Sequence, residues 1–289
     1  MIVVTGAAGQ LGRLVIAELL EKMPASDIVA AVRNEEKARD IAARGVRVRL
    51  ADYNQPQAWD EALKGADKVL LISSSEVGQR ARQHRSVIDA ARREGVKLLA
   101  YTSILRADTS PLRLAAEHKE TEALIRASGI PYTLLRNSWY TENYTAAIPG
   151  VLARGAVYGC AGNGRIASAA RADYAEAAAI VLTAGNHAGR VYELAGDTAY
   201  TLAEFAAEIS RQSGKNIGYV DLAEAEYRNV LVKAGLPDAY AALLADSETG
   251  VSKGGLFDDS RQLSRLINRP TTSLAASVAA MMQEGQGRN

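Results

Sequence analysis

Three glycines near the start of the chain have the spacing of a phosphate-binding turn. Residues 5–12 read Thr-Gly-Ala-Ala-Gly-Gln-Leu-Gly, so Gly6, Gly9 and Gly12 form GxxGxxG with Ala7, Ala8, Gln10 and Leu11 between them. The pattern follows the apolar run Ile2-Val3-Val4 and opens a stretch where Leu11, Leu14, Val15 and Leu19 recur at helical spacing. Glycine is needed there for separate reasons. The turn demands unusual backbone angles, the main chain must approach a pyrophosphate, and the helix must pack closely on the strand. The helix N-terminus offers unpaired N–H groups and the positive end of its dipole. A glycine triplet alone is a weak signal; one between a strand and a helix inside a βαβ unit has the context dinucleotide binding requires.

The second strand indicates which dinucleotide. Binders of NAD usually carry Asp or Glu about 20 residues past the glycines, where it bonds the ribose 2′-hydroxyl. Here Val29-Ala30-Ala31-Val32 runs into Arg33-Asn34, and no carboxylate holds that strand end. A guanidinium at Arg33 can grip the 2′-phosphate of NADP. Glu35 and Glu36 follow closely and argue mildly the other way.

Further polar residues fall where open α/β sheets bind ligands, beyond the carboxyl ends of their strands. Ser73, Ser74 and Ser75 follow the fourth apolar run, and Thr102 and Ser103 the fifth. Asn137-Ser138-Trp139-Tyr140-Thr141-Glu142-Asn143-Tyr144 follows the sixth. That last run gathers three rings in a chain only 6% aromatic, which suits a flat ligand or a packed hinge. The serines suit cofactor contacts or a locally capped turn. His118 shares an inward stripe with Leu114, Thr121 and Ile125; it fits a general acid or a hydrogen-bonded core histidine. Cys160 reads as a small buried apolar group rather than a nucleophile.

Several chemistries are missing. None of the twelve tyrosines has lysine four residues on, so the Tyr-x-x-x-Lys device for protonating a carbonyl oxygen is absent. There is no GxSxG and no HExxH. The three histidines, His84, His118 and His187, lack ligand spacing, so no metal is expected.

The elements that must position these residues are legible as alternation. Short Val/Ile/Leu runs at 1–5, 27–33, 46–51, 67–72, 96–102 and 131–136 predict strands buried on both faces. Helical stretches at 10–22, 35–44, 56–64, 79–94 and 113–128 lie between them. Strict alternation implies a doubly wound, Rossmann-type parallel α/β sheet with right-handed crossovers. In the fourth helix His84, Val87, Ile88 and Ala91 form the inner stripe. Arg82, Arg85, Asp89, Arg92 and Arg93 face away, with Arg85 and Asp89 spaced for a pair. After residue 150 the pattern loosens. Helices are expected at 172–183 and 201–213 and strands at 190–195 and 217–221, with Pro237 and Gly254-Gly255 breaking up the remainder. The expectation is a nucleotide-binding domain over 1–150 and a smaller α/β lobe over 151–289 that covers a cleft. That boundary is a soft one, because such lobes exchange segments.

Composition narrows the class. A chain of 289 residues buries roughly 75% of its unfolded surface and builds a core without staples. Lys plus Arg number 34 and Asp plus Glu 33, a formal net charge of +1, which excludes the basic field of a usual nucleic-acid binder. One cysteine excludes an internal disulfide. No apolar run reaches the ~18 residues of a membrane span, and the start at Met1-Ile2-Val3-Val4 lacks a basic leader, so a cytoplasmic protein is expected.

Four segments together resemble the NmrA-like atypical short-chain dehydrogenases. They are Thr5–Gly12, Leu71-Ile72-Ser73-Ser74-Ser75-Glu76-Val77-Gly78-Gln79, Leu134-Leu135-Arg136-Asn137-Ser138-Trp139-Tyr140 and Ser252-Lys253-Gly254-Gly255-Leu256-Phe257. The similarity is narrowest to the bacterial quinone-reductase branch, with triphenylmethane dye reductases nearby. The resemblance implies a Rossmann domain holding NADP(H), a small C-terminal domain, and an acceptor in the cleft between them. By position it implies cofactor contacts at Gly6, Ala7, Ala8, Gly9, Gln10, Leu11 and Gly12, at Arg33 and at Ser73–Ser75. It implies further contacts at Asn137, Ser138, Trp139, Tyr140, Thr141 and Glu142. The expected reaction is hydride transfer from NADPH to a small-molecule quinone, by a monomer or homodimer. Tyr140 is the first candidate for stabilising charge on the acceptor oxygen and His118 the second for proton delivery. Two alternatives stand beside it: an NADP(H)-binding redox sensor without turnover, and a reductase of cationic dyes, for which Glu76 and Glu142 would supply carboxylate.

Overall fold

The computed structural model of the chain describes residues 1–286. Two compact units are distinguishable. The first comprises Met1–Ala107, Ala116–Asn137 and Arg171–Leu194; the second comprises Asp108–Ala115, Ser138–Ala170 and the chain from Ala195 onward.

The first unit is built on a seven-stranded, wholly parallel sheet. Its strands are β1 (Ile2–Val4), β2 (Ile28–Val32), β3 (Arg47–Leu50), β4 (Lys68–Leu71), β5 (Leu98–Ile104), β6 (Tyr132–Asn137) and β8 (Arg190–Leu194); β7 (Ala156–Gly159) lies in the second unit. The order is β3-β2-β1-β4-β5-β6-β8. Val3 pairs with Val29 on one side and Val69 on the other, so the order reverses between β1 and β4. Ligands of doubly wound sheets bind at that reversal. The helices of this unit are α1 (Gln10–Leu20), α2 (Arg39–Ala43), α3 (Ala58–Leu63), α4 (Arg80–Arg93), α5 (Ala115–Ala127) and α8 (Arg171–Thr183).

Strands β1, β2 and β5 are buried along their whole length, as their β-branched runs require. Strand β3 departs from the expected two-faced burial. It is an edge strand, and Arg47 and Leu50 are exposed. Arg49 turns its guanidinium to the carbonyls of Ala62 and Lys64, at 3.0 and 2.9 Å, where α3 ends. An edge strand can carry cations because only one of its sides is covered by a neighbour. Helix α8 is apolar nearly all round, with Ala175, Ala177, Ala178, Ala179, Val181 and Leu182 buried, and it packs on α1. Trp59, Leu63, Leu71, Val87, Leu99 and Tyr101 belong to one core cluster against the sheet.

The second unit pairs β7 with β9 (Gly218–Asp221) in parallel. Around them run α6 (Glu142–Thr145), α7 (Ile148–Arg154), α9 (Leu202–Ser213), α10 (Glu224–Lys233), α11 (Asp238–Ser252), α12 (Gln262–Ile267) and α13 (Leu274–Gln286). Helix α9 starts at a capping box: the Glu204 N–H donates to Thr201 Oγ1 at 3.1 Å and the Thr201 N–H to Glu204 Oε2 at 2.7 Å. It stops at Gly214, whose φ of 69° suits a residue without Cβ. No helix of the described residues is long and apolar enough to cross a membrane.

Candidate cofactor site

The first unit holds a cavity of about 480 Å³ at the strand-order reversal. Gly6, Ala8, Gly9, Gln10, Leu11 and Gly12 line it from the β1–α1 turn, Arg33 from the end of β2, and Ser73, Ser74 and Ser75 from the end of β4. Residues some 70 positions apart in sequence therefore meet in one pocket. Ala7 is fully buried beneath the turn instead.

The turn is built for close approach. Gly6 sits at φ +59°, where an L side chain is strained. A Cβ on Gly12 would fall 2.5 Å from the Gly6 carbonyl oxygen and 2.6 Å from Ala7 Cα, so α1 reaches β1 only with glycine there. Gly9 caps α1 without a side-chain hydrogen bond, which leaves the first-turn N–H groups for a ligand. Arg13 steadies the turn by donating from Nε to the Ala8 carbonyl at 3.0 Å.

Arg33 is held at the rim. Its Nη1 donates to Glu76 Oε1 at 2.7 Å, while Gln83 Nε2 donates to Glu76 Oε2 at 2.7 Å. Ser74 is gripped on every side. Its N–H donates to His84 Nε2 at 3.0 Å, its carbonyl accepts from Arg80 Nε at 2.9 Å, and its hydroxyl donates to Gln83 Oε1. Arg80 also pairs with Glu117 at 3.0 Å, and the Gly78 N–H donates to the same carboxylate at 2.8 Å. The Ser73 N–H donates to Thr102 Oγ1 at 2.9 Å. The serine loop is thus pinned by α4, α5 and β5.

His84 works only as a neutral ring. Burial, then the nearby Arg80 cation, drives its pKa down to about 3. Its Nε2 lone pair can therefore accept from Ser74, while Nδ1 lies 3.0 Å from Thr121 Oγ1. Behind the pocket the rings continue. Trp59 stacks on Tyr53 with centroids 5.1 Å apart, Tyr53 meets His84 edge-on, His84 meets Tyr101, and Tyr101 leads to His118. Burial, ahead of the opposing Thr5 bond, pushes the Tyr53 hydroxyl up to about 12; it lies 2.8 Å from Thr5 Oγ1. His118 Nδ1 lies 2.7 Å from the Tyr101 hydroxyl. Burial is also the first cause that takes its pKa well below the ordinary value, with Arg80 and His84 adding to it.

Arg136, the penultimate residue of β6, is a buried tie. It donates to both Glu122 oxygens at 2.9 and 2.8 Å and to Glu193 at 2.8 Å, joining β6 to α5 and β8. Next to it, Asn137 Oδ1 and Ser138 Oγ are buried with no hydrogen-bond partner among the described residues. Buried polar atoms without partners are rare and call for a ligand group or strain. Ser138, Trp139, Tyr140, Thr141 and Glu142 belong to the second unit. There Tyr140 bridges to Ala169, Thr141 Oγ1 lies 2.8 Å from Ser168 Oγ, and Trp139 lines a separate cavity. Cys160 is half-buried, and burial first, then Glu248, pushes its thiol up to about 12, which leaves it inert as a thiolate.

Sequence reasoning missed Tyr53, Glu76 as the partner of Arg33, and the pinning set of Arg80, Gln83 and His84. The only available signal was the inward stripe of α4. Two of its outward arginines find partners outside the helix: Arg93 takes Asp60 at 2.8 Å, and Arg82 takes Asn54 at 2.8 Å.

A glycine turn at the switch point, a bare helix N-terminus and a basic residue closing β2 define a Rossmann-type nicotinamide-dinucleotide-binding protein. The residues fit the dinucleotide on physical grounds, since the glycine turn with Gly6 at φ +59° and the uncapped N-terminus of α1 border the same cavity as Arg33 and Ser73–Ser75. Comparison with known proteins agrees: the NAD(P)H-binding family model matches residues 6–185. Quinone oxidoreductase 2 of Escherichia coli strain K12 is 59% identical over 279 residues, 96% of this chain and 98% of that protein. Its crystal structure complexed with NADPH superposes with a TM-score of 0.96 at 58% identity, covering 98% of this chain and all of the other. The Citrobacter triphenylmethane reductase complexed with NADP(H) gives a TM-score of 0.94 at 40% identity, covering 97% and 100%. The chain belongs to the NAD(P)H-binding family, in its NmrA-like group of reductases.

Proposed function

We propose that the chain is an NADPH-dependent reductase that transfers hydride to a quinone and yields the hydroquinone. The observation that carries the reading is Arg33 on the rim of a glycine-turn pocket, in a chain 59% identical to a quinone oxidoreductase over nearly its whole length. NADPH, when bound, supplies the hydride. The N–H groups opening α1 would hold its pyrophosphate and Arg33 its 2′-phosphate. Ser73–Ser75 and Asn137 would hold the remainder, with the orphaned Asn137 oxygen satisfied in the process.

A quinone asks little of a protein acid, because it is a strong electrophile and its reduced oxyanions are comparatively stable. Holding the acceptor in place does much of the work. Tyr140 is the proposed neutral donor to the developing oxyanion. His118 is not needed for this. A buried ring kept neutral has no readily released proton at neutral pH, so solvent delivers the last proton.

The test is NADPH oxidation with 1,4-benzoquinone, with a triphenylmethane dye and with no acceptor, repeated with NADH. Quinone-dependent oxidation that is slower with NADH supports the reading. Tight NADPH binding without turnover on any acceptor would overturn it in favour of a sensor. Tyr140→Phe is expected to lower kcat about tenfold or more and to move KM for NADPH far less, since one oxyanion donor is worth ~10²–10³ in demanding reactions. The dye arm addresses a second reading, raised by the 40% identity to the Citrobacter reductase.

A further inference from the structure

The second unit contains a cavity of its own, about 550 Å³, and every residue lining it belongs to that unit. Sites for drug-sized ligands span ~300–1,000 Å³, mostly apolar with a few placed polar groups. This one fits that description. Val151, Val157, Leu202, Phe205, Leu231 and Leu256 form apolar walls contributed by α7, β7, α9, α10 and the chain after α11.

Among the polar side chains lining it, Glu248, on α11, is the buried carboxyl, and it is built in. Its Oε2 accepts from the Cys160 N–H at 2.8 Å and its Oε1 from the Tyr227 hydroxyl at 3.3 Å. The strand end passes close over it at Gly159, where a Cβ would lie 2.5 Å from Glu248 Oε2 and 2.7 Å from Leu202 Cδ1. Burial, then the charge of Asp221, pushes the Glu248 carboxyl up to about 7. A substantial fraction is therefore the neutral acid near neutrality, with an O–H to donate. Toward solvent the lining changes sign, because the exposed side chains Arg154 and Lys233 also border the cavity. A buried carboxyl excludes a phosphate or carboxylate from the inner end; the two cations favour a negative group at the outer one.

We propose that this cavity is a binding site for a lipophilic carbonyl compound, its apolar ring or chain against the α7–α9–α10 walls and its oxygen at Glu248. A negatively charged outer end is accommodated beside Arg154 and Lys233. The proposal does not depend on what the cofactor pocket does. The same chemistry could come from the quinone acceptor itself or from a separate ketone, and the experiment separates them.

The probe is 8-anilinonaphthalene-1-sulfonate, an aromatic body with one negative group, titrated into the full chain with and without saturating NADPH. A saturable one-to-one fluorescence rise is expected, displaced by 2-methyl-1,4-naphthoquinone and by 2-undecanone. Ala147→Trp and Ala234→Trp change two exposed lining positions. Each is expected to weaken probe binding at least tenfold while NADPH affinity and near-UV circular dichroism stay unchanged. Probe binding that neither carbonyl compound displaces, or that both tryptophan variants retain at full affinity, would overturn the site. If the site stands, a raised KM for the naphthoquinone in the tryptophan variants assigns it to the acceptor. Unaltered quinone kinetics with lost undecanone binding assigns it to a separate carbonyl ligand.

Discussion

Arg33 Nη1 and Glu76 Oε1 are 2.7 Å apart, so the cation proposed to recognise the 2′-phosphate is held by a carboxylate from the far side of the sheet reversal. Both side chains are more than a third exposed, at 56% and 37%. A surface pair of this kind contributes only ~0.2–1 kcal/mol. Hydrogen bonds to a charged group contribute ~1.5–3 kcal/mol, so a phosphate outcompetes Glu76 for the guanidinium. Arg33→Met is expected to raise KM for NADPH by about tenfold to a hundredfold and leave KM for NADH within about twofold, which is the size of those bonds. Glu76→Gln is expected to act the other way. It removes the competing charge and lowers KM for NADPH by up to about fivefold. Steady-state kinetics with both cofactors and benzoquinone checks the pair of variants.

Gly12→Ala is expected to damage stability and cofactor binding together. The added methyl meets three backbone atoms of the glycine turn, none of which is the end of a flexible side chain. Overpacking of this kind costs ~1–3 kcal/mol, so Tm should fall by several degrees and KM for NADPH rise. Gly185→Ala is the control, because a Cβ at that position meets nothing within 4 Å. Thermal melts with and without NADPH separate the loss of fold from the loss of affinity.

His84→Leu should loosen the serine loop without touching a cofactor atom. It leaves the buried Ser74 N–H without its acceptor, at a cost of about 1–3 kcal/mol. KM for NADPH should rise more than kcat falls. The pH signature identifies the cause. The folded pKa of His84, about 3, lies below the ordinary 6.5. Between those values the unfolded chain binds the extra proton, so stability from this residue is full above about pH 6.5 and drains away toward pH 3. Denaturant titrations across that range should show a wild-type slope that His84→Leu lacks.

Glu248 gives the opposite sign. Its folded pKa of about 7 stands above the ordinary 4.5, so the folded protein holds a proton the unfolded chain has released. Its contribution is full below about pH 4.5 and is lost as pH rises through 7, a swing of about 3 kcal/mol at most. Glu248→Gln cannot titrate. The difference in unfolding free energy between variant and parent should grow in the variant's favour from pH 4.5 to 7 and then level off.

How much of this was legible before folding varies with the distance over which each feature is set. The six strands and five helices of the first 137 residues stand near their expected places, because β-branched runs and helical stripes are written within ten or so residues. The helix expected at 201–213 stands at 202–213, and Thr201, Glu204 and Gly214 close its two ends locally. Nothing comparable marks α10 and α11. Their polar and apolar residues are poorly segregated, so no stripe announces them before packing selects a face. The exposure of β3 was hidden for a related reason: an edge strand and a central one can share the same short apolar run, and only strand order tells them apart.

The same division applies to the site. By itself the chain determined the glycine turn, the basic end of β2 and the serine run, since each is a local requirement of backbone shape or strand-end position. Only the tertiary structure decided that Glu76 holds Arg33, that Arg80, Gln83 and His84 clamp Ser74, and that Glu248 is buried under Gly159. Glu76 meets Arg33 across the strand order and Glu248 meets the β7 end through helix packing, while the clamp on Ser74, though short in sequence, depends on how α4 turns back over the end of β4. Their energies depend on burial, which turns a histidine into a fixed acceptor and a glutamate into a neutral acid, and burial belongs to no single segment of the chain.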